Sequence, residues 1–110
     1  MWKGKPDVRK ALFGGRGTVK VWALGAGPEP FTALLGCELS PRGSVGPHAQ
    51  EDCGEVVAVL AGRGAASVDG VVHPLAPGAV VELPLGSVLT LENTSRVNKL
   101  RYLIIKARAG

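Results

Sequence analysis

The sequence predicts an all-β chain, folded as one antiparallel β-sandwich or barrel. Three observations carry that expectation. Short runs of alternating apolar residues recur at even spacing, and turn signals built on Gly, Pro and Asp-Gly separate them roughly every eight to twelve residues. The composition has 16 Gly, 8 Pro and 45% apolar residues, which suits many turns around a small core. The length of 110 residues is that of one domain.

The elements follow in order. Residues 1–17 are polar and glycine-rich and end in GGRG, which reads as an N-terminal arm; residues 18–110 read as the barrel domain. Within the arm, Pro6 and Asp7 predict a short helical turn through Val8–Leu12. Thr18–Leu24 alternates Val19, Val21 and Ala23 with Thr18, Lys20 and Trp22, as a half-buried strand does. Phe31–Leu39 is a second strand, apolar on both faces near Ala33–Leu35. Residues 40–47, SPRGSVGP, read as a turn. His48–Gln50 begins a further strand pair, continued by Glu55–Ala61. Ala65–Val68, an Asp69–Gly70 turn and Val71–Leu75 form a predicted hairpin. Val80–Leu83, a Pro84–Gly86 turn and Val88–Asn93 follow, and Leu100–Ala107 closes the sheet.

Two of these strands are apolar on both sides. If Glu55 points inward, so do Val57 and Val59, and the outward Val56, Ala58 and Leu60 are apolar too. Leu100–Ile105 alternates just as little. An outer sheet face of this kind predicts a cover, and the economical cover is a second copy, packed sheet against sheet about a two-fold axis. Whether the N-terminal segment joins the partner's sheet is left open by the sequence.

Charge is segregated. Residues 1–20 carry six Lys and Arg against Asp7, and residues 94–110 carry five with no acid. The middle carries two Arg against eight acids. A single Tyr and two Trp offer little base-stacking surface, and no RNA-binding aromatic motif is present, so a solvated basic surface is expected and no nucleic-acid partner. No apolar run reaches about 18 residues, so no membrane helix is predicted. The first ten residues lack a secretory apolar core, which makes cytoplasmic residence the expectation. Cys37 and Cys53 are then free thiols, Cys37 as core filler.

The stretch Gly43–Gly62 concentrates the chemistry. His48 and Gln50, two apart, share a face in a strand, and a turn at Gly54 would bring Glu55 opposite them. Imidazole, amide oxygen and carboxylate are ligand types for a divalent metal; a fourth would come from elsewhere. They are equally the polar anchors of a small-molecule pocket. Asn93 is expected to brace a strand end, His73 and Arg63 to lie at the surface, and either Arg101 or Tyr102 to enter the cavity.

The spacing of His48, position 50, Glu55 and Gly62 resembles the first motif of the cupin superfamily, G-x5-H-x-H-x3-4-E-x6-G, with the leading Gly43 off by one. Gly78, Pro84, Gly86, position 89 and Asn93 resemble its second motif, G-x5-P-x-G-x2-H-x3-N. The resemblance implies a jelly-roll sandwich, often dimeric, with a metal inside the barrel. Here Gln50 and Leu89 stand where the family's pattern has histidines. The implied metal set is therefore His48, Gln50 and Glu55, for iron, manganese, nickel or zinc. Leu89, Val57, Val59, Leu35 and Leu91 are the expected apolar lining. Three functions are compatible: a small-molecule-binding cupin with a degenerate metal centre, a metal-dependent dioxygenase or isomerase, or a structural dimer.

Overall fold

The computed structural model describes residues 2–108. Met1, Ala109 and Gly110, the outer ends of the expected arm and barrel domain, lie outside the described residues.

Among the described residues, ten strands form two antiparallel sheets. They are β1 (Asp7–Lys10), β2 (Thr18–Gly25), β3 (Phe31–Leu39), β4 (Ser44–Ala49), β5 (Cys53–Ala61), β6 (Gly64–Val68), β7 (Val71–Leu75), β8 (Val80–Leu83), β9 (Val88–Asn93) and β10 (Leu100–Arg108). The larger sheet has the order β1-β2-β3-β10-β5-β8, the smaller β4-β9-β6-β7. Neighbours in space are mostly distant in sequence, as a jelly roll requires.

Alternation decides what lies between the sheets. Val19, Leu39, Val57, Leu89, Leu100 and Tyr102 all point inward and are almost fully buried. Each Leu or Val so buried contributes about 1.5–3 kcal/mol. The expected β6–β7 hairpin forms on Asp69 and Gly70, both at positive φ, as a two-residue turn needs.

Three local expectations are corrected. His48–Gln50 and Glu55–Ala61 are not a strand pair turning at Gly54: β4 pairs with β9 in the smaller sheet, β5 pairs with β10 and β8 in the larger, and Gly54 lies inside β5, so the chain crosses between sheets from β4 to β5. Residues 7–10 are a strand paired with β2, not part of a helical turn, and one turn of 3-10 helix follows at Leu12–Gly14. Paired backbone hydrogen bonds to an existing edge strand outweigh weak helix signals in four exposed residues. Likewise the expected turn at 40–47 ends early, and β4 begins at Ser44. Its pairing with β9 shifts register between Val45 and His48, so a bulge absorbs Gly46 and Pro47.

The N-terminal segment is stitched onto β4. Arg16 N–H donates to the Ser44 carbonyl at 3.1 Å, and Ser44 N–H returns the bond at 2.9 Å. Gly15 and Gly46 permit this approach, because a Cβ on either would collide with the carbonyl of Ser44 or Phe13. Further out, the Trp2 indole lies over Gly36 on the outer face of the large sheet and packs against Trp22, with ring centroids 5.3 Å apart.

Candidate functional site

A cavity of about 140 Å³ lies between the sheets. Leu35, Cys37, Leu89, Leu91, Tyr102 and Ile104 supply most of its apolar wall. Strand periodicity places them: Tyr102, Ile104 and Lys106 alternate inward along β10, opposite Cys37 and Leu35 of β3 and opposite Val57 and Glu55 of β5.

The polar groups come from three strands. Glu55 on β5 and Lys106 on β10 are direct cross-strand neighbours. Lys106 Nζ stands 3.8 Å from Glu55 Oε1, an ion pair too long to be a hydrogen bond. Glu55 Oε2 is buried with no hydrogen-bond partner among the described residues. Desolvation pushes the Glu55 carboxyl above its ordinary range, against the pull of Lys106. His48 on β4 lies flat against Phe13, with centroids 4.3 Å apart and planes 13° from parallel. Its Nδ1 sits 3.4 Å from the Gly46 carbonyl, and burial lowers its pKa, so it is neutral at neutral pH.

Cys37 and Tyr102 face each other across β3 and β10. Burial pushes the Cys37 thiol up to about 12, helped by the Glu55 charge, and raises the Tyr102 hydroxyl as well. Both stay neutral, so Cys37 is not an activated nucleophile. Cys53 is also a free thiol, 3.4 Å from the Thr32 hydroxyl.

Phe13, His48 and Lys106 line both this cavity and an outer vestibule of about 530 Å³. They stand between the two spaces, with atoms facing each.

Of the residues singled out in the sequence, His48, Glu55, Leu89, Leu35 and Leu91 are brought together around the cavity. Gln50 is placed in the vestibule wall instead. Its main chain is held by the β8–β9 turn, donating to the Ser87 carbonyl at 2.9 Å and accepting from Gly86 N–H at 2.7 Å, and its Nε2 is buried without a partner among the described residues. Val57 and Val59 point into the core but do not line the cavity. Tyr102 enters, while Arg101 turns outward and pairs with Glu38 at 2.9 Å. Asn93 braces its strand end, donating to the carbonyls of Leu39, Ser40 and Asn98. His73 and Arg63 are exposed. Lys106 and Phe13 were not singled out. For Lys106 the signal is present, two and four residues beyond Ile104 and Tyr102 on one face of a strand.

Two antiparallel sheets enclosing a small, mainly apolar cavity with a few polar groups define a single-domain jelly roll. The cupin domain family model matches residues 37–106, more than half of the chain, and the chain belongs to that family. Among solved structures it is similar to a predicted oxalate decarboxylase from Thermotoga maritima, at 26% identity and a TM-score of 0.87, covering 96% of this chain and 93% of that one. It is also similar to a Cupin 2 conserved barrel domain protein from Salinispora arenicola, at 26% identity and TM-score 0.70, covering 83% and 76%. KdgF from a Halomonas species shares the fold at 14% identity and TM-score 0.72, over 94% and 89% of the two chains. A search of curated proteins gives no significant match.

Cupins often hold a transition metal in the barrel, and the donor set can be tested for it. Among the described residues no cluster of three or more His, Cys, Asp or Glu is placed to hold a metal ion. Leu89 is the cross-strand partner of His48 and offers no donor. Gln50 lines the vestibule and Glu55 is paired with an ammonium, which repels a second cation. These residues do not fit a tightly held metal.

Proposed function

We propose that the chain is a small-molecule-binding cupin whose pocket works through the Glu55–Lys106 pair rather than through a metal. The observation that carries this reading is that pair, set in the wall of a mainly apolar cavity. An incompletely hydrogen-bonded buried carboxylate costs about 1–3 kcal/mol, which a bound polar group offsets. The oxalate decarboxylase activity attributed to the Thermotoga neighbour is not carried over. A small dianion would meet one cation, one carboxylate and an apolar wall.

Metal content tests the reading. Elemental analysis of tag-free protein is expected to give well below one metal per chain, equal in wild type and His48→Ala. Near-stoichiometric metal that falls in His48→Ala would favour instead a metal-dependent dioxygenase or isomerase built on His48, Gln50 and Glu55.

A homodimer is part of the same proposal. On the outer face of the large sheet, Trp22, Gly36, Leu103, Ala58 and Val80 form one continuous row across five strands. Leu34, Ile105 and Val56 form a second row beside it. A two-fold axis would lay these rows on their own copies, and the Glu38–Arg101 and Glu38–Lys99 pairs lie at their border.

A further inference from the structure

We infer that the cavity takes a neutral, hydroxyl-bearing ring of about benzene's size, of which phenol is the simplest, with its hydroxyl bridging Glu55 and Lys106. This rests on the binding function proposed above and adds the ligand class.

Size comes first. The cavity of about 140 Å³ matches an engineered apolar cavity of about 150 Å³ that binds benzene. A sugar or a longer acid would have to leave most of its atoms in the vestibule.

Charge comes second. The lining holds one carboxylate and one ammonium, Glu55 and Lys106, which stand as an ion pair. An anion or cation added to this wall would be a buried charge without a counter-charge. The wall therefore selects a neutral molecule.

Hydrogen bonding comes third. The 3.8 Å separation leaves an acceptor on Glu55 and donors on Lys106 unmatched to each other. A hydroxyl carries one donor and two acceptor sites, so it can give to the carboxylate and receive from the ammonium at once. An alkyl amine fits less well, because at neutral pH it is an ammonium with no lone pair to accept from Lys106, and the lone pair of an aromatic amine is delocalised into the ring and accepts weakly. The remaining lining, including Leu89, Leu91 and Ile104, contacts the ring body.

Calorimetric titration and melting curves with phenol, toluene and benzoate test this on the full chain. Phenol is expected to bind wild type at least about tenfold tighter than toluene, since a hydrogen bond to a charged group favours the molecule that makes it. Benzoate is expected to bind more weakly than phenol. The double variant Glu55→Leu/Lys106→Met, which removes both hydrogen-bond partners of the hydroxyl, should bring phenol to within about threefold of toluene. Leu89→Phe, which fills the cavity, should abolish binding of both while leaving the protein folded. Equal binding of phenol and toluene by wild type would overturn the hydroxyl bridge. Benzoate binding tighter than phenol, lost in Leu89→Phe, would overturn the ligand class and leave the binding function standing. If no compound binds and Leu89→Phe simply raises the melting temperature, the binding function falls as well.

Discussion

Burial of Glu55 gives stability a definite slope with pH. Its carboxyl is raised above the ordinary 4.5, chiefly by desolvation, so the folded chain holds that proton more tightly than the unfolded chain. The stabilisation is complete below pH 4.5 and is lost as pH rises from there through the folded-state value. His48 acts in the opposite sense. Its pKa is depressed below 6.5, so its contribution is present above that pH and is lost as pH falls through the depressed value. Urea midpoints measured across this range are expected to separate the two: Glu55→Gln removes the falling component and leaves the rise owed to His48. A second prediction concerns Asn93, whose amide donates to three carbonyls and accepts from Ser95 N–H at 2.9 Å while almost fully buried. Asn93→Ala should cost about 2–4 kcal/mol in chemical denaturation, because it orphans several backbone groups together. The role of Asn93 was legible from its place at the end of a motif strand. That of Lys106 was hidden within a run of terminal positive charge, where only the two-residue alternation from Tyr102 marks it as inward.

At the scale of elements, the mouth depends on how closely two backbones approach. Gly46→Ala would drive a methyl group into the Phe13 carbonyl. The 3-10 turn is expected to lift, with a loss of about 1–3 kcal/mol and faster limited proteolysis within residues 1–17. An unchanged cleavage rate would mean that the turn tolerates displacement without opening. The same region shows where sequence reading stops. Strands β2, β3 and β5 to β10 announce themselves through buried alternation or turn chemistry. Strand β1 is exposed at every position, and what holds it is the free edge of β2, which no local pattern encodes. The start of β4 was masked by Gly46 and Pro47, ordinary turn residues that here occupy a bulge. Gln50 fell outside the cavity because β4 ends at Ala49, one residue before it, so it does not share a strand face with His48. A ligand spacing inherited from a motif fixes the strand position, but the backbone bonds to Ser87 and Gly86 fix which space the side chain faces.

For the whole molecule, the fold was legible because two motifs and regular turn spacing constrain most of the chain. The assembly depends on a surface. Sedimentation of wild type is expected to give twice the chain mass, and Leu103→Arg, placed in the middle of the outer apolar row, to give a monomer with an unchanged fold. A wild type that sediments as one chain at high concentration would leave that face to the Trp2 indole and solvent. The Glu55–Lys106 pair has one more consequence. A positive charge carried on a covalent stem is present as soon as the chain folds. Chelators cannot strip it, competing ions cannot displace it, and it does not vary with the nutrient supply of the cell. On the binding function proposed above, such a pocket would give up the redox versatility that an exchangeable ion confers and gain a binding state that is the same in iron-starved and iron-rich surroundings.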